Sequence, residues 1–368
     1  MKELIFKFKN LHWTLISLVF FISFVGIVMI YSASRAEGLN PTYSHISKLI
    51  LGVFIMFLVA MMNINLFQKY AYILYFVGLF FLIYATFYGF VGKGARRWVN
   101  IFGVNVQPSE IMKIVLILAI AKFFDEKKIQ TFKEHLFIIF PILLIVVPFL
   151  IILKQPDLGT GLIILSLGFV IFFIVGVNIK FFILCFIIFL VSSPILWNTL
   201  HQYQKQRLLT FFDPYKDPLG TGYHIIQSEI AIGSGGLFGK GWLKGTQSHL
   251  DYLPEKKTDF IFSMLGEEFG FMGTISIIGL FILVCLVGYI ISNNPEKDFF
   301  SKVVGISIIT NFFLSAALNM AMVMGLTPVV GIPLPLVSFG GSSLVMTFLG
   351  FGLILSSDLS HKINKTKY

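Results

Sequence analysis

The sequence predicts an all-α integral membrane protein with about ten transmembrane helices, and three observations lead there. Hydrophobic residues make up 57% of the 368 residues, including 42 phenylalanines, and only 12% are charged, against about a quarter in soluble domains. Apolar runs recur along the whole chain, each matching the roughly 20 helical residues that cross a hydrocarbon core of about 30 Å. Short polar connections separate these runs, with one long exception at 199–259. Backbone polar groups in lipid must be satisfied within each segment, so the runs read as helices.

The first apolar run, 11–32, follows a basic stretch as in a signal peptide. It exceeds a typical h-region and more spans follow, so it reads as a retained first helix. Spans two to seven are expected at 46–62, 71–90, 108–124, 136–153, 159–175 and 181–198, and span eight at 260–291 after the long connection. From Val303 to Ser357 no charged residue occurs, but Pro328, Pro333, Pro335, Gly340 and Gly341 interrupt the run. It therefore divides into spans at 303–324 and 340–357 joined by a re-entrant turn, whose irregular backbone must line a cavity or lie buried in protein. No repeat or low-complexity tract divides the chain, so 1–368 reads as a single polytopic domain.

The formal charge of +10 is not arranged as Lys and Arg interleaved with aromatics, which excludes a nucleic-acid groove. An even number of spans puts both termini on one side. The short connections there carry most of the lysines, among them Lys7, Lys69, Lys127, Lys128, Lys133, Lys180, Lys297 and Lys367, whereas Arg35, Lys48, Lys93, Arg96, Arg97 and Lys154 lie on the other. The positive-inside rule then makes both termini cytoplasmic and 199–259 an extracytoplasmic loop. Cys185 and Cys285 sit in apolar runs, so no disulfide framework is indicated.

An ionisable group inside an apolar helix costs a few kcal/mol, so each one needs a reason. Glu110 and Lys113, just past Pro108, share a face of the fourth span. They read either as a self-neutralising pair or as the wall of a polar cavity near the outer surface. Asp157 reads either as the cap of the sixth span or as a residue supporting substrate binding. In the cluster Lys93-Gly94-Ala95-Arg96-Arg97-Trp98, Trp98 suits an interfacial anchor and Arg97 a phosphate partner. Gly233, Gly235, Gly236, Gly239, Gly241 and Gly245, interleaved with Lys240 and Lys244, form either a flexible loop or an anion cradle. Asp259, at the mouth of the eighth span with Glu267 and Glu268 about two turns deeper, is either a cap or a proton acceptor.

Four motifs then stand in chain order: Gln107-Pro108-Ser109-Glu110; Gln155-Pro156-Asp157-Leu158-Gly159-Thr160; Thr258-Asp259-Phe260-Ile261 with Gly266-Glu267-Glu268; and Pro333-Leu334-Pro335-Leu336-Val337-Ser338-Phe339-Gly340-Gly341-Ser342. Together, over nearly the whole chain, they resemble the SEDS family of shape, elongation, division and sporulation proteins. The run Pro328-Val329-Val330-Gly331-Ile332-Pro333 is similar to that of elongation-type members; division-type members usually carry a Thr-rich version. Phe339 stands where Tyr is common and Gly266 where Ala is frequent.

The resemblance implies ten transmembrane helices in the bacterial cytoplasmic membrane and a peptidoglycan glycosyltransferase. Its implied substrate is lipid II, the undecaprenyl-pyrophosphate disaccharide-peptide, polymerised during wall elongation. Implied partners are a class B penicillin-binding protein and other membrane proteins of the elongation complex. By position, Asp259 matches the family's essential outer-loop aspartate, and Glu110 and Lys113 match its charged pair in helix four. Trp98, Asp157 and the turn from Ser338 to Ser342 fall in other family motifs.

A β-1,4 link made from an α-linked pyrophosphate inverts the anomeric carbon in one displacement, for which a single base suffices. Asp259 is the expected base. Lys113, with Arg97, Arg207 or a divalent cation such as Mg or Mn, is expected to offset charge on the departing pyrophosphate, and no organic cofactor is expected. A lipid II flippase would extend its charges to the cytoplasmic side, and a scaffold would bind partners without activity. Clustering of Glu110, Lys113, Asp157 and Asp259 toward the outer half favours catalysis.

Overall fold

The computed structural model describes residues 2–35, 38–92, 95–101, 104–127, 138–200, 202–218, 220, 222–250, 252–253 and 255–366. Lys93, Gly94, Lys128, Lys133, Pro254 and Lys367 lie outside them. Among the described residues the chain forms α1 (Lys2–Lys9), α2 (Trp13–Ala33), α3 (Asn40–Met61), α4 (Ile64–Tyr88), a small sheet, α5 (Pro108–Lys127), α6 (Ile139–Lys154), α7 (Leu158–Val175) and α8 (Ile179–Thr199). The long connection holds α9 (Gln202–Phe212), α10 (Tyr223–Ser234) and α11 (Thr246–His249), and α12 (Ile261–Ser292), α13 (Phe299–Val323) and α14 (Gly341–Thr366) follow.

Every predicted span contains a helix. Seven of the described helices, α2, α3, α4, α7, α12, α13 and α14, are long and apolar enough to cross a membrane. Charge keeps α5 out of that set, although its residues from Pro108 to Phe124 are almost all buried. It is the axial helix of the bundle, and its ionic groups meet protein rather than lipid. Peripheral α8 instead exposes a nearly continuous apolar surface, including Phe186, Ile188 and Leu190.

Three elements depart from the sequence reading. Residues expected as a connection between spans three and four form an antiparallel sheet, β1 (Phe90–Gly92), β2 (Ala95–Ile101) and β3 (Val104–Val106). Phe90 pairs with Trp98 and Val99 with Val106, and Val99 is buried beneath the sheet. The long connection holds three α-helices, α9, α10 and α11, with a 3-10 turn at Pro214–Lys216 between α9 and α10.

Thirdly, α12 is interrupted at Gly270, whose φ of 67° and ψ of −163° leave the helical region. A break at that depth frees backbone groups that lipid cannot satisfy. The glycine-rich segment satisfies them: Phe271 N donates to Gly236 O at 2.9 Å and Met272 N to Leu237 O at 3.0 Å, while Lys240 N and Gly241 N donate to Glu267 O and Glu268 O at 3.0 Å each. A Cβ on Gly239 would sit 2.1 Å from Glu268 O. Close backbone approach therefore accounts for Gly235 and Gly239, where a Cβ would meet Gly266 O and Glu268 O.

At the end of the bundle carrying the chain termini, Asp358 joins Lys362 at 2.8 Å and buried Lys297 at 3.7 Å, and Lys362 donates to Asn10 O at 3.0 Å. Burial lowers the Lys297 ammonium to about 8 against the pull of Asp358. This clasp ties the α12–α13 connection to α14 and to the start of α2.

Candidate active site

At the opposite end, four regions meet around the segment between α13 and α14, residues 324–340. That segment holds no helix or strand, and Gly331 (φ 72°) and Leu336 (φ 65°) take left-handed conformations within it. Two side chains and one backbone amide tether it to the mouth of α12. Asn319, buried in α13, donates through Nδ2 to Ile332 O at 2.7 Å and to Asp259 O at 2.9 Å. Ser338 Oγ donates to Thr258 O and accepts from Leu334 N, and Phe339 N donates to Lys257 O at 2.8 Å. The mouth of α12 is thereby fixed to the turn residue by residue.

Asp259 is half-buried, and its Oδ2 faces Gly331, where a Cβ would lie 3.4 Å away. The α7 N-terminus meets the same turn so closely that a Cβ on Gly159 would lie 2.6 Å from Val330 O. Asp157 caps α7 by accepting from Thr160 N at 3.2 Å and Thr160 Oγ1 at 3.0 Å, as its position in the sequence predicts. Its carboxylate also meets Arg97 at 3.5 Å and accepts from Gln107 Nε2 at 3.0 Å. The cap thus doubles as the anchor of a partly exposed arginine.

Trp98, one residue on in β2, packs its ring against Gly92. Ser342 Oγ accepts from Gln107 N at 2.9 Å, joining α14 to the start of α5. Exposed Arg207, on α9, donates to Val329 O at 3.1 Å, which brings a second cation to the turn.

Glu110 and Lys113 pair at 2.8 Å, with their side chains 8% and 6% exposed. They line a cavity of about 20 Å³ with Asn311, Ser315, Pro335, Ser343 and Thr347, room for about one water. The pair thus shares this cavity with Pro335 of the turn. Lys240 sits elsewhere: its ammonium is bound to Glu267 at 2.8 Å and Thr246 Oγ1 at 2.7 Å, in the packing beside the α12 break.

The sequence reading missed Asn319, and it quoted Gln107 and Gly331 within motifs without giving either a role. Two amides, Asn311 and Asn319, stand in a span without charged residues, and such groups need partners; glycine between two turn-forming prolines signals Gly331. Among the described residues no three His, Cys, Asp or Glu side chains gather closely enough to hold a metal ion.

A polytopic bundle that gathers an aspartate, two arginines and a buried ion pair around one irregular turn defines a membrane-embedded site at one aqueous face. The family model described as cell cycle protein, for FtsW, RodA and SpoVE, matches residues 11–363, and the chain belongs to that family. The peptidoglycan glycosyltransferase MrdB of Escherichia coli K12 is 38% identical over 337 residues, covering 91% of this chain and 90% of its own. MrdB of Helicobacter pylori is 35% identical over 350 residues, covering 94% and 89%. A solved structure described as the structural coordination of polymerization and crosslinking by a peptidoglycan synthase complex superposes with a TM-score of 0.82 at 31% identity, over 96% of this chain and 98% of that one. The rod shape determining protein RodA of Thermus thermophilus superposes with a TM-score of 0.70 at 27% identity, over 96% and 97%.

Proposed function

We propose that this protein is a peptidoglycan glycosyltransferase that polymerises lipid II during wall elongation, with Asp259 as its base. The observation that carries the reading is the convergence of Asp259, Asp157 with Arg97, Arg207 and the Glu110–Lys113 pair on one turn, in a chain whose relatives are named for that activity.

The chain crosses the bacterial cytoplasmic membrane ten times, α5, α6 and α8 adding to the seven longer apolar helices. Both termini are cytoplasmic, because their end carries the lysine excess. The α9–α11 connection and the 324–340 turn then face outward, where the disaccharide-peptide of lipid II lies while its polyprenyl chain stays in the bilayer.

In the reaction, the Asp259 carboxylate takes the proton of the acceptor sugar 4-hydroxyl as that oxygen bonds to the donor anomeric carbon. The bond from that carbon to the pyrophosphate oxygen breaks, and undecaprenyl pyrophosphate leaves with the electron pair. One displacement inverts α to β. Arg207, which donates to Val329 O in the turn, and Arg97, held beside it by Asp157, meet the departing pyrophosphate. Beneath them, Lys113 adds positive charge from a buried position and Glu110 holds it there. Trp98 and Ser338 shape the rim and the turn.

A class B penicillin-binding protein is the partner, in keeping with the peptidoglycan synthase complex among the similar structures. Glycan-strand formation from purified lipid II by the chain with that partner, wild type against Asp259→Ala at equal complex assembly, tests the reading. Polymer from wild type alone supports it. Equal polymer from both removes Asp259 as the base, and no polymer from either, with lipid II translocated in vesicles, replaces the enzyme by a flippase.

A further inference from the structure

Glu267 and the glycine-rich loop have no part in the reaction just described, yet they hold the densest polar cluster near it. The Glu267 side chain is fully buried in α12 and accepts six hydrogen bonds: from Lys240 Nζ at 2.8 Å, from Thr246 N and Oγ1 at 2.7 and 3.1 Å, from Gln247 N at 2.8 Å, and from Ser248 N and Oγ at 3.1 and 2.9 Å. A carboxylate that accepts three successive backbone N–H groups fixes that stretch of chain rigidly.

The hold passes onward. Ser248, pinned on its N and Oγ, offers its carbonyl to Lys256, whose Nζ donates at 2.7 Å and which is only 7% exposed. Lys256 stands three residues before Asp259. The next three residues are tethered from the opposite side, Lys257, Thr258 and Asp259 each accepting at the carbonyl from Phe339, Ser338 and Asn319. The segment 256–259 is therefore gripped between loop and turn, and Glu267 is the fixed end of the loop side.

We propose that Glu267 is a positioning residue, which acts through Ser248 and Lys256 to set the placement of Asp259. This rests on the glycosyltransferase reading, and it reassigns Lys240 from anion binding to the support of Glu267. Misplacing a reacting group by about 1 Å from a distance can cost about 100-fold in rate. Partners in one such chain are coupled rather than additive.

The test uses the full chain with its penicillin-binding partner and compares wild type, Glu267→Gln, Lys256→Met and the double variant in steady-state polymerisation of lipid II. Hydrogen exchange at the amides of Thr246, Gln247 and Ser248 is followed in parallel. Each single variant is expected to lower kcat about 10- to 100-fold with KM nearly unchanged, and the double variant to be no slower than the slower single. Exchange at the three amides should rise in Glu267→Gln and stay protected in Lys256→Met. Unchanged kcat in either single variant, multiplicative losses in the double, or a rise in KM alone overturns the proposal. Should Glu267→Gln fail to fold, Lys256→Met decides by its kcat and KM. Absence of polymer from the wild-type complex strikes the glycosyltransferase reading itself, whereas polymer from wild type with unaltered variants strikes only the positioning role.

Discussion

Gly331 stands directly against the carboxylate of Asp259: a Cβ at position 331 would lie 3.4 Å from Oδ2. That separation is ordinary contact, so alanine fits, but it lines the space an acceptor hydroxyl needs. The φ of 72° adds a backbone cost of about 1 to 2 kcal/mol for any L side chain. Gly331→Ala is expected to lower the unfolding midpoint by a few degrees and the polymerisation rate by about tenfold, beyond what the stability change explains. Thermal unfolding and lipid II turnover on the same sample separate the two, and an activity loss no larger than the unfolded fraction would leave Gly331 with a backbone role only.

Asn319 bridges two carbonyls, Asp259 O and Ile332 O, from within α13. Asn319→Leu keeps the branched skeleton and leaves both acceptors short of a donor, at about 1 to 3 kcal/mol per buried group. The expected outcome is a folded protein of lower stability in which the turn no longer holds Asp259, with a lower kcat. Retention of full kcat in a destabilised Asn319→Leu would show that Ser338 and Phe339 suffice to hold the segment.

Much of this site can be read in the sequence because its cues are local. Pro328, Pro333 and Pro335 mark the turn, Glu110 and Lys113 share a helix face by spacing, and Asp157 precedes an apolar run as a cap does. The sheet escapes such a reading because β1 and β3 are three residues each, too short for alternation to register. The break in α12 escapes it too. Gly270 lies within a stretch long enough to be read as one span, 260–291, and only the distant segment 236–241, by supplying hydrogen bonds, makes the break affordable. Glu267 and its loop partners are separated by 19 to 27 residues, so no helical spacing joins them. Hence a glycine-rich stretch that supports a broken helix looks, in one dimension, like a cradle for an anion.

The Glu110–Lys113 pair separates structure from chemistry by a double substitution. Removing one partner leaves a buried, uncompensated charge, and breaking such a pair costs about 3 to 5 kcal/mol. Lys113→Met alone is therefore expected to destabilise the protein strongly. Glu110→Gln with Lys113→Met removes both charges and is expected to restore most of the stability. If the positive charge beneath Pro335 assists departure of the pyrophosphate, the double variant folds but polymerises slowly. Full polymerisation by the stable double variant would reduce the pair to a helix-orienting role.

His224 offers a pH test of the outer segment. Its ring stacks over Phe260, centroids 6.0 Å apart, beside Asp259 in the chain, and its pKa lies below the ordinary 6.5. Burial is the main cause; Glu255 opposes it and Arg207 adds to it. With its folded value depressed, the imidazole is neutral in the native state, and a detached loop binds the proton more readily. Stability contributed here is complete above pH 6.5 and is lost as pH falls from there through the folded value. Wild-type protein should accordingly show faster hydrogen exchange across α10 as pH is lowered from 7 to 5, after correction for the intrinsic exchange rate. His224→Phe keeps the stack on Phe260 without a titrating ring, so its protection should hold over that range. A variant that loses protection on acidification as steeply as wild type would assign the pH dependence to another group.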